Sequence, residues 1–160
     1  MSQETIKSLQ APFNYANSLL KKFIEICPDD IWQQKSGGWP VWQQVYHTVI
    51  ATDFFISSSK QEAITLPLDE ETASLSTNTP KKAICRAEML KLAEIMQARA
   101  EKYFNGLQDH MLAKKDEALS AGMGAEATNA MAVSMLAGHI FYHLGSCDAA
   151  LRDNGLEGVF

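Results

Sequence analysis

The segment His139-Ile140-Phe141-Tyr142-His143 sets two histidines four residues apart. On an α-helix that step returns to the same face, because one turn takes 3.6 residues. It is the spacing at which one helix offers two imidazoles to one metal ion. A third histidine, His47, lies far upstream in another apolar, helix-like segment. Three neutral imidazoles that leave one position vacant describe a catalytic rather than a structural zinc-type site. Imidazole suits zinc, nickel, copper and iron alike, so the spacing asks for a divalent ion without naming it.

Each histidine also has a plainer reading. An HxxxH pair is weakly specific, and His47 taken alone reads as a core histidine. Against this, His139 and His143 lie on a small, apolar helix face where an unpaired imidazole is costly to bury. Few polar side chains stand near them in the sequence, and a metal ion would satisfy them. Cys147 follows His143 by four residues and either completes an H-x3-H-x3-C set or fills the core as a small apolar residue. Asp53 and Asp148 are candidates for a base or an outer partner, without a spacing that fixes either role. Gln43 and Gln44 either orient the second nitrogen of His47 or sit solvated on the surface, and the sequence favours the surface. His110, within Gln108-Asp109-His110, reads as exposed. No general base is assigned.

These side chains need elements to hold them. Ile6, Leu9, Phe13, Ala16, Leu20, Phe23 and Cys27 recur at steps of three and four, which predicts a helix from Gln3 to Cys27. Pro12 should kink or interrupt its early turns, and Pro28 stops it. A second helix is expected from Pro40 to Ser58, approached through a flexible Gly37-Gly38. Its apolar residues run all round, with Trp42, Val45 and Val49 on one face and Tyr46, Phe54 and Phe55 covering much of the rest. Such a helix is buried on more than one side, with room to face both the core and a second subunit. The third is expected to begin at Thr79-Pro80 and to bury Cys85, Met89, Leu92, Met96, Ala100, Tyr103 and Leu107. The fourth runs from Thr128 to Asp153 and stops at Asn154-Gly155. Its face is Ala132, Met135, Leu136, His139, Tyr142, His143, Ser146 and Ala150. Beside that face, Gly138, Gly145 and Ala149 suggest that another backbone or a ligand comes close, since helical glycine is otherwise unfavourable.

No strand-like alternation competes with these helices. Two long connectors remain, Ser57 to Asn78 and Gln108 to Ala127. Loops of that length usually hold structure or cover a site, and Ala113 to Leu119 is the candidate for a short helix. The expectation is one domain over residues 1–160, an all-α four-helix bundle with long connecting loops.

Composition narrows the function. The chain carries 14 lysines and arginines against 19 acidic residues, a net charge of −5. That balance disfavours nucleic acid. No stretch approaches the roughly 20 apolar residues that span a bilayer, and the first residues lack a signal-peptide profile. Three cysteines, widely spaced and odd in number, read as reduced thiols. Together these predict a cytoplasmic protein. There is no phosphate loop, nucleophile elbow or HExxH.

Two stretches carry a resemblance. Gly38-Trp39-Pro40-Val41-Trp42-Gln43-Gln44-Val45-Tyr46-His47, followed by Asp53, resembles the second-helix motif of DinB-like proteins (the DinB/YfiT superfamily). His139 to Gly145, then Leu151-Arg152 and Gly155, resembles that family's last-helix motif. The order and spacing of all three histidines agree. The resemblance implies a four-helix bundle, usually dimeric, with a divalent metal such as zinc, nickel or iron held by His47, His139 and His143. It also implies, for some members, transfer or isomerisation with low-molecular-weight thiols such as bacillithiol, mycothiol or glutathione. The family's frequent Arg-Gly-Gln after the last histidine appears here as Leu144-Gly145-Ser146, so those roles do not carry over.

Two functions are therefore expected of this sequence. One is a metal-dependent enzyme of thiol S-transferase-like or hydrolase-like type, acting on a small molecule, with ion-bound thiol or water as nucleophile. The other is a non-catalytic dimeric metal-binding or stress-related bundle, with the second helix as interface and a closed site, for instance with Cys147 as fourth ligand.

Overall fold

The computed structural model describes residues 2–59 and 61–160. Four long helices carry the architecture: α1 (Glu4–Ile26), α3 (Val41–Phe55), α5 (Arg86–Gly106) and α7 (Asn129–Asp153). Three short ones lie between them: α2 (Asp29–Gln33), α4 (Glu70–Ala73) and α6 (Glu117–Met123). Helices α1 and α3 each pack against both α5 and α7. The long helices thus form a four-cornered bundle in which α3 and α7, the two histidine-bearing helices, are neighbours. This is the predicted all-α class.

The helical stripes become the core. Ile6, Phe13, Ala16, Leu20, Phe23 and Cys27 of the first stripe are all buried. So are Met89, Leu92, Met96, Ala100, Tyr103 and Leu107 of the third. Burying one large apolar side chain contributes about 1.5–3 kcal/mol, so these stripes decide which helix faces meet. Phe13 of α1 and Phe104 of α5 lock that pair, with ring centroids 5.6 Å apart. Helix α1 runs unbroken through Pro12, contrary to the expected interruption.

Several other expectations change. The third helix starts at Arg86, not at Thr79-Pro80. Residues 80–84 cannot join it because the Trp32 indole N–H donates to the Ile84 carbonyl at 3.0 Å, holding that strand of chain against α2. Glu88 then accepts from the Cys85 backbone N–H at 3.3 Å, which makes exposed Cys85 the N-cap rather than a core residue. Gly37 and Gly38 are not a flexible approach. They turn a two-residue antiparallel hairpin, Lys35–Ser36 with Trp39–Pro40, at φ of +59° and +102°, where glycine is strongly favoured. A Cβ at Gly37 would also sit 2.9 Å from Ser146 Oγ of α7.

The connectors hold structure, as their length suggested. The first contains a 3-10 turn at Ser57–Ser59 and then α4, whose N-cap Asp69 accepts from Thr72 N–H at 2.8 Å. The second contains α6, four residues later than the Ala113 to Leu119 segment. Buried Asp116 decides that start by accepting from Leu119 N–H at 2.9 Å.

Helix α3 is buried on nearly every side, but by its own chain. Helix α4 packs against one flank of α3. Trp42 and Phe55 are accordingly buried within the protomer. The small residues of α7 differ the other way. Gly138, Gly145 and Ala149 are exposed, and a Cβ at either glycine meets nothing within 4 Å. Tyr142, placed on the core face by periodicity, is 77% exposed. Because helical glycine costs about 0.5–1 kcal/mol relative to alanine, Gly138→Ala and Gly145→Ala are each expected to raise stability by about that much. Equilibrium urea titration checks this, and a lower midpoint would mean that a second molecule covers the face.

Candidate metal centre

Helix α7 presents His139 and His143 one turn apart, and α3 presents His47 across from them. One ligand nitrogen of each of the three lies within 4.8 Å of the others. The Nε2 atoms of His47 and His139 are 3.1 Å apart. The His47 ring lies tilted 4.9 Å from that of His139 and edge-on 4.7 Å from that of His143. Zinc–nitrogen bonds of about 2.0–2.1 Å place tetrahedral nitrogens roughly 3.3 Å apart, so the cluster is close to ligand spacing. The structure thereby brings together all three sequence-predicted residues.

Their protonation suits cation binding. His47 Nδ1 lies 2.8 Å from the Ala73 carbonyl. A carbonyl only accepts, so Nδ1 carries the proton and Nε2 turns a bare lone pair into the cluster. Burial pushes His47 below its ordinary value, against that carbonyl's upward pull. His139 is pushed down to about 3, first by burial and then by the neighbouring His143 and His47. His143 falls to about 4 by burial and by His47. All three are neutral near pH 7, the form that ligates.

The same shifts predict how metal-free protein responds to acid. The fold holds these groups below the unfolded value of 6.5. Their contribution is fully present above about pH 6.5 and is lost as pH falls toward about 4, because the unfolded chain takes up protons first. The urea midpoint of metal-free protein is therefore expected to drop between pH 7 and pH 4.5, and to drop less in His139→Leu. Equal slopes in the two proteins would remove the cluster as the cause.

The other candidates are occupied elsewhere. Asp53 pairs with Arg99, whose Nε donates to Oδ1 at 2.7 Å and whose Nη1 donates to the Glu62 carbonyl at 2.8 Å. Asp148 is buried, accepts from Arg152 Nε at 2.8 Å and from Val159 N–H, and so anchors the C-terminal segment. Cys147 is buried beside the Val41 carbonyl, outside the histidine group, and burial pushes its thiol up. It is the apolar filler of the two readings. His110 is exposed.

Gln43 and Gln44 overturn the surface reading. Both are buried, at 0% and 3% exposure. Gln43 Nε2 donates to the Thr72 and Thr77 carbonyls at 3.2 and 2.7 Å. Gln44 Nε2 donates to the Ser36 carbonyl at 2.6 Å. Neither hydrogen-bonds to His47, whose outer partner is the Ala73 carbonyl of α4. Sequence reasoning missed that partner because it is 26 residues from His47. The available signal was Asp69-Glu70-Glu71-Thr72, an N-cap with acids in the first turn.

A cavity of about 360 Å³ opens beside the cluster, with His47 and His139 in its wall. A larger one, of about 660 Å³, lies between α5 and the 111–118 segment and includes none of the three histidines. In comparison with known families, residues 13–147 match the family model described as the DinB superfamily. No curated protein and no solved structure matches the chain.

Proposed function

The chain belongs to the DinB superfamily, and from that membership and the histidine cluster we propose a divalent-metal-dependent enzyme acting on a small molecule. One observation carries the reading: three neutral imidazoles converge, two of them, His47 and His139, in the wall of a cavity, and no fourth histidine, cysteine or carboxylate joins their group among the described residues. Three protein ligands with one open position is the pattern of catalytic rather than structural sites.

In this reading His47, His139 and His143 hold the ion, and zinc, nickel or iron suits the ligand set. A bound ion supplies acidity, lowering the pKa of a water or low-molecular-weight thiol in its open position. The Ala73 carbonyl keeps His47 in the ligating tautomer. Phe54 and Phe55 give the cavity apolar walls beside the reacting centre. With Asp53 and Asp148 already paired, we assign no general base. Thiol transfer is the reaction we favour within this class, with a homodimer in the cytoplasm as its setting. The competing reading, a non-catalytic closed site, would use Cys147 as fourth ligand, and the position of that thiol outside the group speaks against it.

Elemental analysis of untagged protein, followed by titration with zinc, nickel and iron(II) against a chromophoric chelator, tests the reading. About one ion per chain is expected. No uptake of any of the three would overturn it.

A further inference from the structure

We propose that the cavity beside the histidines selects a small molecule with an apolar body and a cationic head, such as a protonated amine, over an anion of the same shape. The proposal rests on the reading of the cluster as the reacting centre. Ile50, Ala51, Phe54 and Phe55 of α3 and Ala73 of α4 make the walls apolar. Phe55 stands edge-on to His139 at 5.3 Å. Phe54 is 42% exposed, yet its ring is seated on α6, where a Cβ at Gly122 would lie 2.6 Å from it. The polar part of the lining, apart from the two histidines, is Glu70 and Ser74. Glu70 is exposed and has no ionic partner among the described residues.

The charge argument is one-sided. None of the described lining residues is lysine or arginine. Arg99, beside α3, is already held by Asp53 and the Glu62 carbonyl. An anionic group entering apolar walls without a counter-charge loses its hydration with no return. It also meets Glu70 and a chain of net charge −5. An ammonium placed at Glu70 meets a carboxylate in a wall that also holds the aromatic rings of Phe54 and Phe55. An ion in the cluster would attract an anion directly. The head group is therefore best read first in metal-free protein, whose three imidazoles are neutral. On these grounds the multiply charged anionic thiols are poor occupants of this cavity, and any thiol used here carries its anionic groups elsewhere.

The test is an amide NMR titration of metal-free and zinc-loaded protein with benzylamine, benzyl alcohol and phenylacetate at pH 7.5. The shifts followed are those of Phe54, Phe55, Glu70 and Ala73. In metal-free protein benzylamine is expected to bind at least about fivefold tighter than phenylacetate, with benzyl alcohol between them. Glu70→Gln should bring benzylamine to the level of benzyl alcohol while leaving benzyl alcohol unchanged. Equal or tighter phenylacetate binding, an unchanged preference in Glu70→Gln, or no cavity shifts from any of the three compounds would overturn the proposal. Zinc uptake is measured on the same samples. Its failure with amine selectivity intact would remove the metal reading and leave the cavity's preference standing.

Discussion

Replacing His143 by alanine is expected to lower the affinity for a divalent ion by at least about 100-fold while the bundle stays folded. Loss of an outer partner alone typically costs 10–100-fold, and this change removes a direct ligand. Only two imidazoles would remain, one on each helix, and water would have to complete the set. The side chain is not a keystone of the core, since His143 is only partly buried. Its removal also relieves crowding between imidazoles that depress one another's protonation. Metal-free His143→Ala should therefore unfold at a urea midpoint close to that of metal-free wild type, and resist acid better. Zinc titration against a chromophoric chelator measures the affinity, and His47→Ala and His139→Ala should behave alike. Unchanged affinity in any of the three would show that its nitrogen is not a ligand.

Gln43→Leu should weaken the fold and the site together, though Gln43 hydrogen-bonds to no histidine. Its amide donates to the carbonyls of Thr72 and Thr77, on either side of Ala73. Leucine has a similar volume but no donor, so two carbonyls lose their partner, at about 1–3 kcal/mol each. Gln43 Oε1 is itself buried without a partner, so leucine also removes one unfavourable atom. The net loss expected is about 2–4 kcal/mol, a large part of the 5–15 kcal/mol typical of a domain. With the connector loosened, the Ala73 carbonyl no longer fixes the His47 tautomer, and zinc affinity should fall about tenfold or more. Urea titration and chelator competition on one preparation separate the two effects. Lower stability with unchanged zinc affinity would mean that the connector and the cluster are independent.

Much of the fold was legible because helical periodicity is local. The stripes on α1 and α5 name residues that are mostly buried, that on α7 does so for Ala132, Leu136 and Ala150, and Thr128 and Gly155 mark the ends of α7 as expected, with Gly155 at a φ of +75°. Legibility failed where a distant group decided a local matter. Trp32, 52 residues away, holds Ile84 outside α5. Gln43 and Gln44 look solvated beside the polar residues of their segment. They are buried because carbonyls of the connector and of the hairpin need donors. Helix α3 read as facing both the core and a second subunit; its own chain covers Trp42 and Phe55, while Phe54 stays 42% exposed.

The sequence by itself determined the four long helices and three histidines at ligating intervals, since spacing along a helix fixes the face on which each residue lies. It could not decide what those faces meet. The tertiary structure set α3 against α7, closing His47 on His139 to 3.1 Å. It left Cys147, Asp53 and Asp148 to other partners and turned Tyr142 and the α7 glycines outward. It also brought the Ala73 carbonyl to His47 and Glu70 into the cavity lining, from a connector whose position depends on long-range hydrogen bonds. A periodic pattern is written within a few turns of chain. Desolvation, tautomer and charge balance at a site depend on groups tens of residues apart, and only packing brings those together.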